Sequence, residues 1–155
     1  MKVKEIMIKD VKSISPEITV IEALATIAKL EISGLPVIDA HDKLVGMFTE
    51  KEVLSHLLPS YIEKVGRFIY EENPKATKRK FAELQTMKVS QIMRKDVVTL
   101  GEETTLCEVA RTMLMQKARR IPVLDKAGKV SGIVARGDVL KAFAQEAESS
   151  RGSNA

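Results

Sequence analysis

The chain has no tryptophan and only four phenylalanines and two tyrosines in 155 residues, so its core must be aliphatic, filled by Ile, Val, Leu, Met and Ala. A single cysteine, Cys107, excludes an internal disulfide framework and suits a reducing compartment. No apolar run approaches the roughly 20 residues that a membrane span needs. The opening Met1-Lys2-Val3-Lys4-Glu5-Ile6-Met7 lacks the apolar stretch of a signal peptide. These absences predict a soluble cytoplasmic protein with no membrane association. Charge of one sign is scarce as well. Twenty-five basic against 21 acidic residues leave a net +4, a mild excess that favours anionic partners without itself implying nucleic acid. There is no Gly-x-x-x-x-Gly-Lys loop, no Gly-x-Ser-x-Gly elbow and no His-Glu-x-x-His. His41 and His56 have no companions at metal-ligand spacing, so neither a metal site nor a catalytic residue is expected, and no cofactor is required.

What is present in strength is self-similarity. Set Lys2 against Lys88, 86 positions on, and the two segments run together without a gap to Leu54 and Leu140. Ile6-Met7 meets Ile92-Met93, Lys9-Asp10-Val11 meets Lys95-Asp96-Val97, and Pro36-Val37 meets Pro122-Val123. Thr19, Glu22, Asp39, Gly46 and Val53-Leu54 all find their counterparts in the same register. The chain is a duplication.

Each copy reads as strand, helix, strand, strand, helix. Short apolar segments (Val11–Ile14; Val97–Leu100) are strand-like. Thr19-x-x-Glu22 and Thr105-x-x-Glu108 are capping-box signatures, in which hydroxyl and carboxylate satisfy orphaned helix N–H groups. Behind them, Val20, Ala23, Leu24, Ile27 and Ala28 recur at helical spacing, as do Leu106, Val109, Ala110, Met113 and Leu114. Two short strands follow in each copy, Leu35–Ile38 with Leu44–Phe48 and Ile121–Leu124 with Val130–Val134, joined by polar turns. A last helix begins near Thr49 or Ala135. The expected organisation is repeat 1 over residues 1–58, a helical insertion over 59–87, repeat 2 over 88–146, and a polar, disordered tail over 147–155. The insertion carries an apolar stripe of Ile62, Val65, Phe68 and Ile69, a basic run from Lys75 to Lys80, and a second helical stretch marked by Phe81 and Leu84.

In their order and duplication these motifs resemble the cystathionine-β-synthase (CBS) domain family, whose members occur as tandem pairs. The carriers are Ile92-Met93-x-x-Asp96-Val97-Val98-Thr99, Arg119-Arg120-Ile121-Pro122-Val123-Leu124-Asp125 and Gly132-Ile133-Val134-Ala135-Arg136-Gly137-Asp138-Val139-Leu140. In repeat 1 they are Ser33-Gly34-Leu35-Pro36-Val37-Ile38-Asp39 and Gly46-Met47-Phe48-Thr49-Glu50-Lys51-Glu52-Val53-Leu54. The resemblance implies an α+β fold of two βαββα repeats related by pseudo-twofold symmetry. It further implies clefts that take adenosine ligands such as AMP, ADP, ATP or S-adenosylmethionine, and a homodimer. Carried over residue by residue, one cleft combines Thr49 and Glu52 with Val98, Arg119, Arg120 and Ile121. The other combines Ala135 and Asp138 with Met7, Lys12, Ser33, Gly34 and Leu35.

The residue types fit such a ligand. A carboxylate at a helix start can accept from both ribose hydroxyls, a neighbouring Thr and the helix N–H groups suit a phosphate, and arginines add charge-assisted bonds to phosphate oxygens. Neither cleft matches the family pattern fully: in the first Glu52 stands where the ribose Asp is expected, and in the second Ala135 stands where the hydroxyl is expected and no Arg precedes Pro36. Every choice has a plainer rival. Thr49-x-x-Glu52 is also a good capping box, Asp138 an early-helix carboxylate and Arg119-Arg120 a solvated helix end. The function expected is a regulatory sensor of AMP, ADP or ATP acting on a separate effector protein. The alternatives are a nucleic-acid binder using Lys75, Lys78, Arg79, Lys80, Lys88, Arg119 and Arg120, or a ligand-free assembly scaffold. Few aromatics are available for base stacking, which weighs against the first alternative.

Overall fold

A computed structural model describes residues 1–57 and 74–153. In chain order the elements are α1 (Val3–Ile6), α2 (Val20–Leu30), β1 (Gly34–Ile38), β2 (Leu44–Thr49), α3 (Glu50–Leu57), α4 (Pro74–Thr86), α5 (Val89–Ile92), β3 (Leu100–Gly101), α6 (Leu106–Gln116), β4 (Arg120–Leu124), β5 (Val130–Ala135) and α7 (Arg136–Ser153). They fall into two compact units: Lys12–Val97, and Met1–Val11 together with Val98–Ala155. The architecture is mixed α+β with one design used twice, as the duplication predicts.

In each unit an antiparallel hairpin leads directly into a helix. β1 pairs with β2 from Gly34↔Thr49 to Ile38↔Leu44, and β4 pairs with β5 from Arg120↔Ala135 to Leu124↔Val130. The register shift falls at the same place in both, Val37/Ile38 and Val123/Leu124. The connecting turns are built by a carboxylate folded over its own backbone. Asp39 Oδ1 accepts from the N–H groups of His41 and Lys43, each at 2.9 Å, and Asp125 Oδ1 from those of Ala127 and Lys129 at 2.9 and 3.0 Å. Donation from the Lys43 N–H holds the Asp39 carboxyl below its ordinary range. The residue that must turn left-handed is Asp42 in one copy and Gly128 in the other.

The strand-like segments ahead of each helix are shorter than their apolar pattern predicts. Val97–Leu100 yields the two-residue β3, parallel to β4, and Val11–Ile14 yields a single parallel bridge from Ile14 to Val37. The expected capping box forms in full at α2, while at α6 only its hydroxyl half is made. Glu22 N–H donates to Thr19 Oγ1 at 3.2 Å with the return bond from Thr19 N–H to Glu22 at 3.3 Å, and Glu108 N–H donates to Thr105 Oγ1 at 3.4 Å. The second core is aliphatic, as expected, whereas the first, otherwise aliphatic, closes on the aromatic Phe48, which is fully buried. Val20, Ala23, Ile27, Val37 and Phe48 close the first unit, and Val109, Met113, Ile121, Val123 and Val134 the second.

Of the insertion, α4 belongs to the first unit and buries Leu84 to 1% exposure in that core. It begins at Pro74, whose missing N–H costs nothing in a first helical turn. The stripe of Ile62, Val65, Phe68 and Ile69 lies outside the described residues. The tail needs correction: from Glu148 the chain is not disordered but continues α7 as far as Ser153. Its composition explains this. Ala, Gln and Glu are good helix formers, and local propensity extends a helix that tertiary packing has already started.

Candidate functional site

The chemistry-bearing residues collect where each hairpin turns into its helix. In the first unit, β2 ends at Thr49, α3 begins at Glu50, and the Glu50 N–H donates to the Ser33 carbonyl at 3.1 Å. Thr49 also pairs with Gly34 across the hairpin. One corner therefore brings together Ser33, Gly34, Leu35, Thr49 and Glu52. Glu52 curls back: Oε2 accepts from Thr49 N–H at 2.9 Å and from Thr49 Oγ1. The hydroxyl and the carboxylate satisfy one another.

The second unit repeats this geometry with different side chains. Arg136 N–H donates to the Arg119 carbonyl at 3.1 Å, and Arg120 pairs with Ala135. Asp138 Oδ2 accepts from Ala135 N–H at 2.8 Å, the same backbone donor that Glu52 engages in its copy. The shorter Asp138 makes this bond with no hydroxyl to hold as well. The corner thus groups Arg119, Arg120, Ile121, Ala135 and Asp138. Arg136, which the sequence reading does not single out, stands exposed beside them as the first residue of α7. Position for position, Arg119, Arg120 and Arg136 replace Ser33, Gly34 and Glu50. At these three positions one corner carries three cations where the other carries none and adds one carboxylate, Glu50.

The remaining expected residues are placed as follows. Leu35 and Ile121 are 1% and 0% exposed and belong to their units' cores. Met7 and Val98 are half-buried against the second unit's core. Lys12 is exposed in the first unit. Of the basic residues offered for nucleic acid, Lys80 donates to the His56 carbonyl at 3.2 Å and Lys88 pairs with Glu17 at 2.8 Å, so both are engaged within the first unit. Among the described residues no three His, Cys, Asp or Glu side chains are grouped as a metal ion would need, and no helix is long and apolar enough to cross a membrane.

Two α+β units that repeat one hairpin-to-helix corner, with its carboxylate in each, define a tandem-repeat module. A family model for the CBS domain matches residues 3–59 and 89–145 of the chain. The chain belongs to the CBS domain family. It is 34% identical over 140 residues to inosine-5'-monophosphate dehydrogenase of Methanocaldococcus jannaschii, covering 90% of this chain and 23% of that enzyme. It is 31% identical over 143 residues to the chloroplastic CBS domain-containing protein CBSX1 of Arabidopsis thaliana, covering 88% of this chain and 61% of the relative. The chain therefore spans less than a quarter of the dehydrogenase and about three fifths of CBSX1. Among solved structures it is similar to CBSX2 of Arabidopsis thaliana in complex with AMP, at 26% identity and a TM-score of 0.72, covering 93% of this chain and 96% of that one.

Proposed function

We propose that this chain is a regulatory module, not an enzyme, which binds AMP, ADP or ATP and thereby alters its conformation or its affinity for an effector protein in the cytoplasm. The observation that carries the reading is the charge of the second unit's corner. Arg119, Arg120 and Arg136 surround the start of an 18-residue helix, beside a carboxylate, Asp138, with one oxygen committed to Ala135 N–H. Three guanidinium groups reward a phosphate anion, and the carboxylate oxygen of Asp138 not held by Ala135 suits the ribose hydroxyl of a ligand in the other cleft. The AMP complex of CBSX2 supports an adenosine ligand. Leu35 and Ile121, being core residues, would offer a ligand their backbone only. A sulfonium cation gains nothing from the arginines, so AMP, ADP and ATP are expected to bind ahead of S-adenosylmethionine.

Calorimetric titration of the whole chain tests this, with Arg120→Ala and Asp138→Ala beside it. Loss of one charged hydrogen bond to phosphate costs about 1.5–3 kcal/mol, or roughly ten- to a hundred-fold in affinity. The family resemblance assigns Arg120 and Asp138 to different clefts, so Arg120→Ala is expected to weaken phosphate-dependent binding and spare any site that depends on Asp138. If both substitutions weaken one and the same isotherm, the nucleotide instead sits on the corner these residues share. Wild-type protein that binds no adenine nucleotide overturns the reading.

A further inference from the structure

The two hairpin-to-helix corners are one backbone geometry built twice, and they differ most in charge. In each, the first N–H of the helix donates to a carbonyl at the start of the hairpin, Glu50 to Ser33 and Arg136 to Arg119, both at 3.1 Å. Each bond falls one position beyond the last strand pair, Gly34↔Thr49 in one copy and Arg120↔Ala135 in the other. It therefore sets Ser33 opposite Glu50, and Arg119 opposite Arg136. In the first corner a neutral serine faces a glutamate. In the second, two exposed arginines face each other.

Like charges directly opposite one another on a hairpin are unfavourable, and nothing in the corner offsets this pair. Among the described residues neither guanidinium is paired with a carboxylate. Asp138, in the same corner, gives an oxygen to Ala135 N–H instead. Arg120, half-buried, adds a third cation on the neighbouring strand pair. The fold does not require any of the three, because Ser33, Gly34 and Glu50 support the same backbone bonds in the other copy. Each guanidinium can present two parallel N–H groups to an anion, whereas a monophosphate offers only three terminal oxygens. Three arginines suit a larger anion.

We infer that Arg119 and Arg136 hold the outer phosphates of a polyphosphate chain whose first phosphate is held by Arg120, so that Arg136 makes the module prefer ATP and ADP to AMP. The inference rests on the nucleotide reading above for the adenosine, and adds to it the length of the phosphate chain. Successive residues of an antiparallel strand lie about 3.4 Å apart, close to the step from one phosphorus atom to the next in a polyphosphate. The charges agree as well. A monophosphate carrying about two negative charges leaves one of the three cations unmatched, and a triphosphate matches them all.

Calorimetric titration of the full chain with AMP, ADP, ATP and inorganic tripolyphosphate, without magnesium, tests the inference. Arg136→Glu is the informative variant, because Glu50 already begins the corresponding helix and a carboxylate in a first turn suits the helix dipole; circular dichroism checks its fold. Lys126→Glu makes the same change in net charge at an exposed position in the turn between β4 and β5, at the far end of the hairpin. Wild type is expected to bind ATP and tripolyphosphate roughly ten-fold or more tightly than AMP, and Arg136→Glu to weaken both by roughly ten- to a hundred-fold. AMP should lose several-fold less, and Lys126→Glu should spare every ligand. Equal losses for AMP and ATP, or losses from Lys126→Glu as large as those from Arg136→Glu, overturn the inference. Wild type that binds AMP as tightly as ATP overturns it and leaves the nucleotide reading standing. Tripolyphosphate binding that depends on Arg136, in a chain that binds no adenine nucleotide, supports the phosphate site and overturns the nucleotide reading instead. Failure of every ligand to bind overturns both.

Discussion

At the scale of single residues, the duplicated glycines show how close the packing is. A Cβ on Gly46 would stand 2.9 Å from the Arg94 carbonyl oxygen and 2.7 Å from the Met93 sulfur. On Gly132 the backbone oxygen, that of Ile8, lies at 3.1 Å, and the tighter neighbours are atoms of the Met7 side chain, which can move. Gly46→Ala is therefore expected to destabilise by about 1–3 kcal/mol, and Gly132→Ala by less. Urea denaturation midpoints of the two variants read the order directly. A second residue-scale prediction concerns Glu103. The Lys4 ammonium donating to it holds its carboxyl below the ordinary value of 4.5. A depressed folded value means that the contribution is present above 4.5 and lost as pH falls through the folded value. Acidification below 4.5 is expected to increase amide exchange at Val3 relative to its counterpart Val89, and Glu103→Gln to abolish that difference in pH response. The Thr19 capping box was legible at this scale because both of its partners lie within four residues. That Thr49 would be held by Glu52 was legible only as one of two readings, since spacing alone does not distinguish a helix cap from a ligand contact.

At the scale of elements, helical period and turn chemistry located both hairpins and both amphipathic helices, because each is decided by neighbours within a dozen residues. Two features escaped. The extent of α7 is set by propensity continuing beyond the packed turn, so the polar residues after Ala147 read as a tail. The strand-like runs before α2 and α6 reach a core only through Ile14, Val98 and Leu100, and these need little ladder to do so. For α4 the sequence offered Phe81 and Leu84 together, yet Phe81 is 52% exposed and Leu84 is 1% exposed. The helix therefore docks through Leu84. Leu84→Ala is expected to cost about 2–5 kcal/mol, whereas Phe81→Ser should stay within about 0.5 kcal/mol of wild type. Equilibrium unfolding of both variants checks the contrast, and equal losses would mean that α4 presents a different face to the core.

At the scale of the whole molecule, the repeat of the sequence and the unit of the fold are different partitions of the chain. Residues 1–11 open repeat 1 but complete the unit built on 98–155, and residues 74–97 complete the unit built on 12–57. No reading of period or spacing could assign these segments, because Lys2, Val3, Ile6 and Met7 are identical to Lys88, Val89, Ile92 and Met93. The choice between two equivalent grooves is made by chain connection. A physical consequence follows for a cut anywhere between residues 57 and 74. The N-terminal piece would hold the body of one unit and the leading segment of the other, and the C-terminal piece the complementary set. Each unit would then be shared between the pieces, through a fully buried valine, Val3 or Val89, and through Leu84 for the first unit. A protease site introduced between Leu57 and Pro74 and cleaved after folding is expected to leave the two pieces eluting together from a sizing column, separating only in denaturant. Had each repeat closed on its own leading segment, the same cut would leave the pieces joined only through α4 and its Leu84. Independent elution of the pieces under native conditions would therefore show that the leading segments return to their own repeats once the chain no longer holds them apart.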